Sequence, residues 1–155
     1  MYKMFFDSEL NGVFVVHYGN FEGAEHWASM FELVGDKSIG GVSNIKFIWF
    51  DTVLVESAGF EDSDMAFGIV AAQKIERYPS VDLDRVPKLV RLLDPESPSC
   101  AILMQRAQRT SGVDQNYSKR VKSYEAVSLL CKDLGLPFER ATKIVEKYRQ
   151  KVLSG

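Results

Sequence analysis

Five basic side chains, Arg106, Arg109, Lys119, Arg120 and Lys122, gather in one stretch with Tyr117 and Tyr124, opposed by Asp114 alone. Guanidinium and ammonium groups hold phosphate or carboxylate oxygens, and aromatic rings among them can stack bases. An ordinary solvated loop has the same composition. Because the whole chain is mildly acidic, with a pI near 5.7, the cluster points to an anionic small molecule or an acidic protein partner ahead of nucleic acid. The two histidines are the next groups with acid–base capacity. His17 sits beside Tyr18 in an apolar run and His26 beside Trp27 at the rim of an apolar stripe, where exposure is expected; neither has a nucleophile or an orienting group at a telling spacing. No Gly-x-Ser-x-Gly, phosphate-loop, Cys-x-x-Cys or His-Glu-x-x-His pattern occurs. Cys100 and Cys131 lie in separate apolar segments, as buried free thiols commonly do, without metal-type spacing. No metal, cofactor or catalytic residue is therefore expected. The remaining chemical group is Asp51. It closes the run Asn44 to Asp51, NIKFIWFD, and the carboxyl end of a central strand is where α/β sheets meet ligands.

The elements that would position these groups follow from periodicity. In NIKFIWFD, Ile45, Phe47 and Trp49 alternate with Ile48 and Phe50, so both faces of that strand need cover, as in a largely parallel sheet with helices on each side. Tyr2 to Asp7 and Val13 to Tyr18 flank Asn11-Gly12, which accepts the positive φ angles of a tight turn and predicts an antiparallel opening hairpin. Asn20 then caps a helix with Ala24, Trp27, Ala28, Phe31 and Val34 inward and Gly35 at its end. A loop over 52–61 leads to a helix from Ser63 to Tyr78. Val86 to Leu93 read as a short helix begun by Asp84, and Cys100 to Met104 as a further buried strand. A short strand near Arg120, a helix from Ser123 to Leu134 closed by Gly135, and a last helix opened by Pro137 complete the chain. The expectation is an α/β fold in which Trp49 stands in the core.

A length of 155 residues with 46% hydrophobic and 26% charged side chains suits one globular domain. No apolar run reaches the roughly 20 residues of a membrane span, and the first residues lack a basic leader, so the cytoplasm is the expected compartment. Charge is unevenly placed. Residues 1–64 carry three lysines against eleven acids, net −8, and residues 65–155 are net +6. Solvated faces are the plain reading of this asymmetry; a weak symmetric dimer is the sharper one. For that dimer the last helix would add an apolar strip of Phe138, Val145 and Val152.

The order hairpin, helix, central strand ending in Asp, helix, strand, helix resembles the STAS superfamily. Within it the chain is similar to the SpoIIAA-like branch of anti-sigma-factor antagonist-like domains found in many bacterial proteins. The resemblance is carried by GVFVVHYGNF (12–21), IKFIWFD (45–51), EDSDMAFGIVA (61–71), CAILMQ (100–105) and SYEAVSLLCKDLGL (123–136), so it spans 1–136 and leaves 137–155 as a helical extension. It implies a mixed, mostly parallel sheet opened by an antiparallel hairpin. It also implies a regulatory module that binds a protein or small ligand without catalysis. In antagonist members a serine after an acid, at the amino end of the helix following the central strand, is phosphorylated. The matching positions are Ser57, after Glu56 where the family has Asp, and Ser63, between Asp62 and Asp64. A helix amino end suits a phosphate, but Glu61, Asp62 and Asp64 would repel one at Ser63. The partner surface so implied comprises Asp51, Glu56, Asp62, Asp64, Arg106, Arg109, Lys119 and Arg120. The alternative is a carrier or enzyme for a small apolar or anionic ligand in the crevice beyond Asp51 and Met104. A filled core favours the first reading and a deep pocket beside Trp27 and Trp49 the second.

Overall fold

The computed structural model describes residues 1–59, 70–71, 73–85, 87–92, 119–121, 128, 131–132 and 135–155, the strands at 88–92 and 119–121 by their backbone only. Strands β1 (Tyr2–Asp7), β2 (Gly12–Glu22), β3 (Phe47–Gly59), β4 (Lys88–Leu92) and β5 (Lys119–Val121) lie side by side in that order. β1 pairs antiparallel with β2, and β2, β3, β4 and β5 run parallel. The chain is thus an α/β fold with a mixed sheet opened by a hairpin, as its alternation predicts. In the hairpin turn Asn11 takes the positive φ, 52°, and its carboxamide donates to the Asn44 carbonyl. Gly12 is needed for space instead, since a Cβ there would run into the Phe47 ring.

Helix α1 (Gly23–Gly35) joins parallel β2 to β3, and helical turns at 70–71 and 73–76 lie between β3 and β4. Neighbouring parallel strands in sequence order, linked by crossovers of one hand, place their helices on one face. That face carries Val13, Val15, Ile48 and Phe50 against Leu33, Val34, Ile39, Val42 and Ile75. The buried stripe of α1 differs from the expected one: Leu33 and Val34 are buried and Trp27, Met30 and Phe31 partly so, while Ala24 and Ala28 face solvent. Larger side chains remove more apolar area from water, so Trp27, Phe31 and Leu33 turn inward ahead of Ala24 and Ala28; Ser29 is also buried, with its hydroxyl donating to the His26 carbonyl.

The opposite face needs its own cover and receives it from the last helix, α2 (Phe138–Leu153), with Pro137 at its start. Ala141, Val145, Tyr148 and Val152 recur at helical spacing and pack on Leu10, Phe14, Val16, Phe47 and Trp49. Residues 137–155, an extension by resemblance, therefore close one side of the core. Val145 and Val152 are spent there, which corrects their assignment to an intermolecular strip; Phe138 is exposed.

Four local readings change. β3 starts at Phe47 after a turn of 3-10 helix at Val42–Asn44, and it runs through the expected loop to Gly59 because β2 continues beside it to Glu22. For the same reason Asn20 lies in β2 and caps nothing; Glu22 holds the cap position of α1 without a side-chain bond. The described residues of 84–92 do not form a helix. Lys88–Leu92 pair with Phe47–Asp51, and the Asp84 N–H is drawn into a turn by the Asp82 carboxylate. β4 so takes the place beside Trp49 expected for Cys100 to Met104, which fall outside the described residues. Gly135 does end its helical segment, at φ 65°, with the Leu136 N–H bonded to the Cys131 carbonyl.

Candidate functional site

β2 and β3 pair over their whole length, from Gly12 beside Phe47 to Glu22 beside Gly59, whereas among the described residues β1 pairs as far as His17 and β4 as far as Asp51. Among the described strands, the carboxyl ends of these two parallel strands consequently run on as a ribbon past both neighbours. Two register shifts, between Val16 and Tyr18 and between Gly19 and Asn20, allow it to bend, and Gly19 takes φ 62° there. The position is the usual one for recognition in parallel sheets.

At the tip, Ser57 lies beside Asn20 and its hydroxyl donates to Asn20 Oδ1 over 2.9 Å. Glu22, Glu56 and Ser57 are exposed. Ser57 is thus an accessible hydroxyl on a strand and not in a loop. Ser63, Asp62, Asp64, Arg106 and Arg109 lie outside the described residues. Lys119 and Arg120 stand in β5, beside Val90 and Arg91, at the sheet edge opposite β1 among the described strands.

Beneath the rim, on the α1 face, is an aromatic chamber. His17 lies 4.7 Å from Phe21, 5.8 Å from Tyr2 and 6.5 Å from Phe50, ring centre to ring centre, and His26 of α1 lies 4.9 Å from the same Phe50. The two histidines, separate in sequence, meet around one phenylalanine. His17 is 1% exposed and neither ring nitrogen has a hydrogen-bond partner. Burial, aided by the nearby terminal ammonium group, lowers its pKa to about 3, so the imidazole is neutral. His26 is half-buried, not exposed as expected. The alternation Val13, Val15, His17 was the available sign that this histidine turns inward.

Asp51 is corrected from a surface group to a buried one, 1% exposed on the α2 face. Arg149 Nε donates to its Oδ2 at 2.8 Å and the Val53 N–H to its Oδ1 at 3.0 Å. The sequence carries no local signal for this use of Arg149, because its partner lies 98 positions away. Nearby, Tyr148 donates to Asp7 Oδ2 at 2.7 Å, and burial together with that carboxylate holds the phenol well above its ordinary pKa. Asp51 and the rim at Glu56 and Ser57 are therefore separate places.

A cleft of about 640 Å³ opens at the other end of β3, lined by Asp36, Lys37, Gly40, Gly41, Asp82 and Arg85 among others. Asp36 and Asp82 accept backbone N–H groups two residues on, while Lys37 and Arg85 make no ion pair among the described residues. No group of three or more His, Cys, Asp or Glu side chains among the described residues is placed to hold a metal ion. No family model, curated protein or solved structure matches the chain.

Proposed function

We propose that the chain is a regulatory module of STAS-like kind that binds a protein partner through the rim of the β2–β3 ribbon. The observation that carries this reading is the pairing of a filled core with a projecting rim. Trp49 and Val15 expose no surface at all on their opposite faces of the sheet, so recognition falls to the exterior. There Glu22, Glu56 and Ser57 form an acidic edge with an accessible hydroxyl. Such an edge suits a basic protein surface, and phosphate on Ser57 would add about 1.5 to 2 negative charges and displace the Asn20 bond. Ser57 and Ser63 remain the two phosphoacceptors the resemblance supports. Among the described residues no helix is long and apolar enough to cross a membrane, consistent with a partner met in water.

The test is affinity capture from the native cell with the wild-type chain and with Glu22→Lys/Glu56→Lys, followed by mass spectrometry. A protein retained by the wild type and released by the charge reversal, with the melting temperature unchanged, is the expected result. Equal retention by both would remove the rim from the reading. The cleft favours a second reading, a small-ligand carrier, since its volume lies within the range of ligand pockets. Its location at the amino end of β3 differs from the crevice beyond Asp51 expected from sequence. Metabolites that travel with the wild type and are lost in Arg85→Glu would support that alternative.

A further inference from the structure

We infer that a second copy of this chain docks on the outer edge of β1, antiparallel about a two-fold axis at Phe5, joining the two sheets into one. Among the described strands β1 has a neighbour on one side only. Its sequence, YKMFFD, contains no proline, and Phe6 is 41% exposed at that edge. Long apolar edges of this kind are templates for another strand unless something blocks them.

Which backbone groups face outward follows from one bond. The Tyr18 N–H donates to the Met1 carbonyl, and Met1 and Tyr18 continue the register that pairs Tyr2 with His17. In an antiparallel pair hydrogen-bonded and non-bonded rows alternate, so the peptide groups of Lys3, Phe5 and Asp7 turn toward β2 and those of Tyr2, Met4 and Phe6 turn outward. A second β1 can then bond only through even-numbered residues. Four such two-fold registers keep half or more of the strand paired, centred on Lys3, Met4, Phe5 or Phe6, and the first sets Lys3 against Lys3. The Met4-centred register sets Lys3 against Phe5, and the Phe6-centred register sets Asp7 against Phe5. Centring on Phe5 sets Lys3 of each copy against Asp7 of the other, Phe5 against Phe5 and Met4 against Phe6.

This register matches opposite charges twice, and it does so in the non-bonded rows, where facing side chains approach most closely. It also covers the exposed Phe6 with Met4. Asp7 has spare capacity for the contact, because each of its oxygens accepts one bond, from Tyr148 and from the Leu10 N–H. The inference is independent of the regulatory reading and of the rim, which stands at the other end of β2.

Sedimentation velocity of the full chain across a range of concentrations tests it, beside Lys3→Asp and Met4→Pro. Lys3→Asp sets like charges against each other at both rows and is expected to weaken the dimer about tenfold or more. Met4→Pro removes an outward N–H without removing a bond to β2, and should leave only monomer. Circular dichroism checks that each variant is folded; if Met4→Pro is not, Lys3→Asp alone decides. A wild type that stays monomeric throughout overturns the inference, as does a folded Lys3→Asp that dimerises as well as the wild type.

Discussion

The two faces of the sheet bury ionisable side chains by opposite rules. Under α2 the buried ionisable groups come in pairs, Asp51 with Arg149 and Tyr148 with Asp7, while Trp49 Nε1 and Arg149 Nη2 have no partner among the described residues. Around them the rings of Phe5, Phe14 and Tyr148 stack at 5.1 and 4.6 Å. Under α1 the core is mainly aliphatic, and its one buried histidine has no hydrogen bond on either nitrogen. A matched charge pair tolerates burial while both members remain, whereas an unmatched imidazole tolerates it only by staying neutral. The α2 face should therefore fail by mutation and the α1 face by acid.

The largest effects belong to the α2 face. Trp49→Ala removes a side chain with no exposed surface, facing the α2 helix, and is expected to cost about 3 to 5 kcal/mol in denaturant unfolding. Arg149→Met should cost a comparable ~3 to 5 kcal/mol, because it strands the Asp51 carboxylate in the core. The double variant Asp51→Leu/Arg149→Met removes the stranded charge and should recover most of that loss. If the single Arg149→Met unfolds no more easily than the wild type, the pair is not a structural clamp and Asp51 returns to the list of groups available for ligands.

Acid should act on the other face. The folded His17 has a pKa near 3 against 6.5 when unfolded, so below pH 6.5 the unfolded chain binds the extra proton. Stability is then complete above pH 6.5 and falls as pH drops toward 3, by about 1.4 kcal/mol per pH unit, or roughly 2 kcal/mol at pH 5. His17→Phe should flatten that slope, and urea midpoints of both proteins between pH 7 and 4.5 measure it. A slope unchanged in His17→Phe would assign the acid sensitivity to other groups.

This contrast was only half legible in the sequence. The alternation in NIKFIWFD placed Trp49 and Ile48 in the core, and the three- and four-residue spacing of Ala141, Ile144, Val145, Tyr148 and Val152 gave the stripe of α2, with Ile144 only partly buried, because each signal is local. Whether that stripe meets its own sheet or another molecule depends on the empty face left by α1, which no window of residues contains. The ends of β2 and β3 were cut short for the same reason: Asn20, Ser57 and Gly59 favour caps and turns by type, Glu56 is a weak strand former, and only the partner strand holds them extended. Lys88–Leu92 read equally well as helix or strand at five residues. At the site, Asp51 was found but its role was inverted by an arginine 98 positions on, and the meeting of His17 with His26 across Phe50 depends on the crossover through α1.

The smallest effects sharpen the comparison with one chemistry on both faces, a tyrosine donating to a carboxylate. On the α2 side Tyr148 is buried and donates a hydrogen bond to Asp7 at 2.7 Å; on the α1 side Tyr2 is half-buried and donates one to the exposed Glu32 at the same 2.7 Å. Equal length does not mean equal strength. A bond to a charged acceptor contributes about 1.5 to 3 kcal/mol where water is kept away, and solvent competition removes most of that at an exposed carboxylate. Tyr148→Phe should therefore lower stability by about 1 to 2 kcal/mol and Tyr2→Phe by no more than about 0.5 kcal/mol. Both phenols stay protonated far above neutral pH, Tyr2 to about 12 and Tyr148 beyond it, so neither difference should vary between pH 7 and 9. Chemical denaturation of the two variants in parallel reads the ratio directly. Equal losses would mean that the two faces do not differ in water access, and the contrast drawn from Asp51 and His17 would then rest on those two residues alone.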